Sequence, residues 1–303
     1  MTTPSADDAR PATAGRASAP SESAEPAPAS NGTESNGAAP LLRLAGVGKH
    51  FGAVRALTGI NLDIPLGQVT AVVGDNGAGK STLIKTISGI WPQDEGQIYW
   101  QGRPVHLHSP KDAAALGIAT VYQDLALADN LDVVQNMFLG REPVKNFVLD
   151  ETTMERDTKR TLADLKVVTI QSVRQPVGSL SGGQRQAVAV ARAVLRQAQL
   201  VILDEPTAAL GVTQTRVVLE LITRLKSQNI AVIVISHNLN DVFSVADRLA
   251  VLRLGRVVAA GPKSLFDAES VVDLMTTGTS RRLGLEPDAQ PTTAPSPGSS
   301  SEH

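Results

Sequence analysis

Two hydrophobic rhythms run along the chain, and the change from one to the other divides it. Residues 41–47, 61–64 and 68–73 are short runs in which apolar positions are interrupted by polar ones, with Gly and Pro between them. That pattern predicts half-buried antiparallel strands. The runs at 71–73, 200–203 and 231–235 are continuously apolar and each precedes a stretch of helical period, the pattern of strands buried on both faces of a parallel sheet. Within 213–229, Val217, Val218, Leu221, Ile222 and Leu225 recur at helical spacing and Asn229 is placed to end the helix. From Gln123 to Leu180 the spacing predicts helices over 133–139 and 152–167 joined by irregular stretches, with no strong buried strand. The expectation is an α/β core preceded by an antiparallel β part and interrupted by a helical insert at about 124–180. No internal repeat is visible, so the chain holds one such unit.

Composition sets the limits of the folded part. Residues 1–40 contain no Leu, Ile, Val, Phe, Tyr or Trp, and the same bias toward Pro and Ser returns over 286–303. Such segments cannot bury enough apolar surface to offset ordering entropy. Disordered tails are therefore expected at 1–40 and 282–303, with the folded body at 41–281. The N-terminus lacks the basic start and apolar stretch of a signal peptide. No apolar run approaches the roughly 18–20 residues that cross a bilayer, so any service to a membrane goes through a partner. Cysteine is absent, which excludes disulfides and Cys-ligated metal and fits a reducing compartment. A formal charge of -2 argues against a nucleic-acid surface built on phosphate neutralisation.

Chemistry enters at residues 74–82. Gly74, Asp75, Asn76, Gly77, Ala78, Gly79, Lys80 and Ser81 match the phosphate-binding loop and stand between the strand-like 69–73 and a predicted helix at 81–88. Glycines let the backbone curl around phosphates and aim amides at them, and the helix N-terminus adds favourable dipole. Lys80 would meet the β and γ phosphates, and the Ser81 hydroxyl would ligate Mg²⁺. The apolar run 200–203 ends in Asp204 and Glu205. A parallel strand delivers these two carboxylates to the sheet edge at which the phosphate loop opens. Asp204 is the expected metal ligand, and Glu205 the residue that orients and deprotonates the attacking water.

The run Leu180, Ser181, Gly182, Gly183, Gln184 resembles the signature of the ATP-binding-cassette (ABC) ATPases. As a piece of backbone it is a helix start: Ser181 and the amides of Gly182 and Gly183 cap the helix predicted at 184–196 and offer a second anion site. The resemblance covers residues 41–278 and implies an ABC-type phosphate-loop ATPase with a RecA-like parallel sheet, cofactors ATP and Mg²⁺, and a γ-phosphate at Ser181–Gln184 that belongs to ATP on a second copy of the chain. It also implies that Gln123 senses Mg²⁺ and water, and that His237 is the switch histidine beside the catalytic base. Thr82 completes the loop motif. Phe51 stands where an aromatic stacks on adenine in this family; core packing is the competing role. One departure concerns 208–211: where most members read Ser-Ala-Leu-Asp, this chain has Ala208, Ala209, Leu210 and Gly211. The protomer contact made by that Asp is not assigned here, although a glycine at that point can fold the loop by accepting positive φ.

The loop motif, the strings at 122–131 and 138–142, and 208–211 itself are similar to those of ATPases in ribose, xylose and fructose importers, the fructose type most of all. That resemblance implies a homodimer on the cytoplasmic face of the cell membrane, bound to integral-membrane permease subunits and serving an extracytoplasmic sugar-binding protein. The start of the insert, with Asp129, Asp132 and Arg141, would receive a permease helix or else be a solvated face. The alternative reading is an ABC ATPase of another transport system, or an ABC motor that moves no solute. A GTPase or small-molecule kinase shares the phosphate loop, yet neither explains Leu180 to Gln184.

Overall fold

A computed structural model of the 303-residue chain describes residues 39–285. The tail expectations at 1–38 and 286–303 lie outside the described residues. Strands β1 (Leu42–Phe51) and β2 (Val54–Ile64) pair antiparallel, and β3 (Val69–Val73) then leaves for a second sheet, followed by helix α1 (Lys80–Ile87). β4 (Glu95–Trp100) and β5 (Arg103–Val105) complete a four-stranded antiparallel sheet of order β2-β1-β4-β5. Helix α2 (Pro110–Ala115), capped by Ser109, leads into β6 (Ile118–Val121). The next segment carries α3 (Val133–Phe138), a small hairpin of β7 (Val144–Lys145) and β8 (Val148–Leu149), and α4 (Glu151–Asp164).

Helix α5 (Gly182–Leu195), β9 (Leu200–Asp204), α6 (Val212–Ser227), β10 (Ala231–Ile235), α7 (Leu239–Val245), β11 (Arg248–Arg253), β12 (Arg256–Pro262) and α8 (Ala268–Thr276) follow. The main sheet has the order β12-β11-β3-β10-β9-β6, parallel except for the edge strand β12. Side chains alternate across its strands with period two, and this separates the cores. Val201, Leu203, Val232 and Val234 pack with α3 to α6, whereas Leu200, Ile202, Ile233 and Ile235 pack with α1 and the antiparallel sheet. A sheet so covered reads as unbroken apolar runs, which is why 200–203 and 231–235 were legible as parallel strands.

The first strands settle the sequence reading in one place. Residues 68–73 were read both ways, as a half-buried antiparallel run and, over 71–73, as a buried parallel one; β3 is parallel to β10 and β11 and buried along its whole length, Thr70 included, so the second reading holds. It sits between two strands that arrive much later in the chain, and no polar alternate position marks a solvent face. Three hairpins escaped the sequence reading, β4 with β5, β7 with β8, and β11 with β12. Leu283, beyond the expected end of the body, packs partly buried against the core under α8. Among the described residues no helix is long and apolar enough to cross a membrane.

Candidate functional site

The register of the main sheet levels its strand ends. Val72 and Asp204 both pair with Ile235, and Val121 pairs with Leu203 one row back. Whatever follows β3, β9, β10 and β6 is therefore delivered to one edge: the loop 74–79, Asp204 with Glu205, His237, and Gln123. They border an open cleft of roughly 630 Å³.

The loop is shaped by its glycines. At Gly79 φ is +106°, and a Cβ there would stand 2.9 Å from the Ala56 carbonyl oxygen, so a side chain is excluded on both counts. Lys80 Nζ donates to the carbonyls of Gly74 at 2.6 Å and Asp75 at 3.0 Å, which ties the ammonium across the loop. No side chain caps the N-terminus of α1, so its first amides remain free for an anion. Asn76, Gly77, Gly79, Lys80, Ser81 and Thr82 line the cleft, while Gly74, Asp75 and Ala78 form the turn behind it.

Opposite the loop stand the acids. Burial, followed by the charge of Glu205, pushes the Asp204 carboxyl above the usual carboxylate range, and Lys80 and Lys85 oppose the shift. Glu205 has φ +50°, a left-handed conformation that costs a non-glycine residue on the order of 1 kcal/mol. Its amide donates to the Ile235 carbonyl at 2.9 Å, which locks the turn to β10. Glu205 Oε2 lies 2.9 Å from His237 Nδ1. A carboxylate only accepts, so Nδ1 carries the proton. Thr207 Oγ1 donates to Asp241 Oδ2 at 2.7 Å, a second tie between the turn after Glu205 and the helix after His237. Ser81, Gln123 and Asp204, the expected Mg²⁺ ligands, all border this one cleft and offer oxygen donors, the chemistry a hard divalent cation takes.

Phe51 is not brought into the cleft lining. Its ring packs edge-on against Trp91 with centroids 4.9 Å apart, and Val54, Arg55 and Ala56 line the wall next to the loop instead. These three, together with Gly255, whose amide donates to the Ala78 carbonyl, were missed by sequence reasoning. Nothing local distinguishes them, since only the approach of β2 and the β11–β12 turn to the loop makes them neighbours.

Ser181, Gly182, Gly183 and Gln184 stand apart from the cleft at the start of α5, with Ser181 exposed, Gly182 and Gln184 half-buried and Gly183 buried. Gln184 N donates to Ser181 Oγ at 3.4 Å, and Ser181 N to Gln184 Oε1 at 2.8 Å, a reciprocal cap. Gln184 Nε2 donates to the Thr169 carbonyl and holds the motif to the end of the insert. The two glycines lie under α6: a Cβ on Gly182 would stand 2.7 Å from Leu210, and one on Gly183 3.1 Å from Gln214. Gly211 caps α6 with φ −71°, so the positive φ expected of it falls on Ala209 instead, at +58°. Of the charged residues at the start of the insert, Asp132 caps α3 and meets Arg174, and Asp129 pairs with Arg185 at 3.3 Å. Asp132 thus serves the insert itself, and Asp129 ties the insert to α5.

A glycine-shaped loop before an uncapped helix, oxygen donors across from it and a Glu–His pair, all on one edge of a parallel sheet, are the parts a phosphate-loop ATPase needs. The sequence profile described as ABC transporter matches residues 57–208. The chain is 45% identical over 245 residues to a xylose/arabinose import ATP-binding protein of Sulfolobus acidocaldarius, covering 81% of this chain and 97% of that one. It is 46% identical over 240 residues to a fructose import ATP-binding protein of Rhizobium meliloti, covering 77% and 92%. The ADP conformation of an ATP-binding cassette of an ABC transporter superposes with a TM-score of 0.67 at 27% identity, covering 78% of this chain and 95% of that one. The chain belongs to the ABC transporter family, and within it is an ATP-hydrolysing cassette.

Proposed function

We propose that the chain powers a monosaccharide importer by ATP-driven closure of a homodimer. The observation that carries the reading is the separation, within one chain, of two complementary half-sites: the cleft at the sheet edge and the capped Ser181–Gln184 at the insert, where Ser181 is exposed. A nucleotide held by the loop of one copy is completed by the α5 N-terminus of another, so ATP binds the closed pair more tightly than the open one and shifts the population toward closure. The two xylose/arabinose and fructose import proteins, matched over nearly their full length, support sugar as the cargo.

In this mechanism Lys80 and the loop amides hold the β and γ phosphates, and Thr82 backs the loop. A magnesium ion, when bound, supplies positive charge to the same phosphates, held by the oxygens of Ser81, Gln123 and Asp204. Glu205 orients the attacking water and takes its proton, and His237 steadies the Glu205 carboxylate through the 2.9 Å contact. Hydrolysis removes the bridge between copies, and they reopen. The insert at 124–180 is the arm that meets the permease, with the chain on the cytoplasmic face of the membrane and an extracytoplasmic sugar-binding protein feeding the other side. Phe51, on the cleft's outer flank, is kept as a candidate contact for adenine.

The test is reconstitution of the chain in lipid with candidate multispan sugar permeases of its own organism, measuring ATP-dependent uptake of radiolabelled fructose, xylose and ribose. Uptake of one of these that stops with Lys80→Ala supports the reading. ATP turnover with no permease association, in every combination, refutes it in favour of an ABC motor that moves no solute.

A further inference from the structure

Glu205 and His237 sit on two short segments, 205–207 and 235–241, that lie side by side where β9 and β10 end. Hydrogen bonds join the two segments in order along their length. Glu205 N donates to the Ile235 carbonyl at 2.9 Å, His237 Nδ1 to Glu205 Oε2 at 2.9 Å, and Thr207 Oγ1 to Asp241 Oδ2 at 2.7 Å. The chemistry depends on the middle bond, which its own surroundings hold least. The His237 side chain is 71% exposed, so water competes for its ring nitrogens and other rotamers stand open to it. Glu205 has φ +50°, a conformation that persists only where neighbouring contacts over-determine it.

The two outer bonds supply what the middle one lacks. At the near end the sheet register continues into the turn, since Asp204 pairs with Ile235 and the next amide bonds the same residue's carbonyl. At the far end no strand pairing is left. The chain turns instead, with Ser236 Oγ accepting from Asn238 N at 3.0 Å and Asn238 capping α7. There the bond from Thr207 to Asp241 is the cross-link. Pro206 is buried, and Ala208 N donates to the Glu205 carbonyl at 3.1 Å, so Thr207 cannot shift without carrying Glu205 with it. Among the described residues the Asp241 carboxylate makes no ion pair and accepts from no side chain other than Thr207.

A competing role for Asp241 is electrostatic: it stands in the first turn of α7, where the helix dipole favours an acid. That role needs a charge and no partner. The 2.7 Å contact with a hydroxyl needs an acceptor. We propose that Asp241 is a positioning residue for hydrolysis: through Thr207 it sets the distance between the Glu205 carboxylate and the His237 ring. The inference rests on the roles given above to Glu205 and His237 and adds what fixes their geometry.

Turnover at saturating Mg²⁺-ATP and equilibrium nucleotide binding, measured separately on the full chain, test it. Thr207→Val keeps the side-chain shape and removes the hydroxyl; Asp241→Ala removes the acceptor. Each is expected to lower kcat about tenfold or more while nucleotide Kd stays within about threefold, the pattern of a catalytic group displaced slightly from its working position. Thr207→Ser and Asp241→Asn keep the donor and the acceptor, and each should hold kcat within about threefold of wild type, since an amide oxygen still accepts. The double variant Thr207→Val/Asp241→Ala should turn over no more slowly than the slower single one, because both remove the same bond. Thermal melts check folding; Thr207 lies outside any helix, so Thr207→Val carries the test if Asp241→Ala fails to fold by weakening α7. Wild-type kcat in Thr207→Val overturns the proposal. So do additive losses in the double variant, and so does Asp241→Asn as slow as Asp241→Ala, which would leave only the charge at the helix start. None of these outcomes touches the assignment of Glu205 as base, whereas wild-type turnover by Glu205→Gln defeats that assignment and the proposal with it.

Discussion

Glu205→Gln separates proton abstraction from everything else the site does. The side chain keeps its length and its carbonyl-type oxygen, so the hydrogen from His237 Nδ1, now 2.9 Å from Oε2, still has an acceptor. What changes there is a charge-assisted bond becoming a neutral one, a difference of about 1 kcal/mol. The amide link from residue 205 to the Ile235 carbonyl and the left-handed turn are backbone features and stay in place. Next door, Asp204 loses the second largest cause of its raised carboxyl pKa, so it is at least as well ionised for metal binding as before. Nucleotide affinity is therefore expected to stay within about threefold, roughly what 0.6 kcal/mol amounts to. The catalytic step loses its general base, typically worth about 10²- to 10⁴-fold, or roughly 3–5 kcal/mol of barrier. Because bridging nucleotide is no longer consumed, ATP with Mg²⁺ should convert the variant to a stable dimer. Phosphate release, equilibrium titration with a fluorescent ATP analogue and sedimentation velocity read the three quantities. Turnover within a few-fold of wild type refutes Glu205 as the base, and loss of nucleotide binding in parallel with turnover refutes the claim that the geometry survives.

Three further outcomes follow from the same contacts. Asp204 has a folded-state pKa above its unfolded value, so the stability it contributes is present at low pH and lost as pH rises through the folded value. Asp204→Asn in metal-free protein should therefore melt higher than wild type at neutral pH, with the gap closing as pH falls toward the ordinary carboxylate range, while Mg²⁺-dependent turnover disappears; differential scanning fluorimetry over a pH series checks the sign. Ser181→Ala removes the side-chain acceptor for Gln184 N and should cost about 1 kcal/mol by denaturant titration, with ATP-driven dimerisation lost although single-chain nucleotide binding persists. Ile202, fully buried in β9 against the antiparallel-sheet core, should cost about 2–5 kcal/mol on replacement by Ala, read as a lower urea midpoint with unchanged slope.

Local chemistry was strong wherever a motif dictates backbone shape by itself. The loop 74–81 needs glycine at Gly79 because of positive φ and a carbonyl within 2.9 Å of any Cβ, and the acids at 204 and 205 announce themselves at the end of an apolar run. Helix starts were legible because a capping side chain acts within its own turn, as Ser181 does for α5. Strand partners were less so. Residues 69–73 pair with β10 and β11, which lie far along the chain, and only the apolar run at 71–73 hinted at a parallel strand, against the broken pattern that begins at 68.

The sequence by itself determined the phosphate loop, the two carboxylates, the signature turn and the alternation of buried strands with helices, since each depends on residues adjacent in the chain. Tertiary structure alone decided that Phe51 turns its ring onto Trp91 while Val54 to Ala56 line the cleft, that His237 meets Glu205 at hydrogen-bond distance, and that Arg141, Arg192 and Arg196 line one cavity. Those relations join segments tens of residues apart, and only sheet register and the packing of the insert on the sheet set the distances between them.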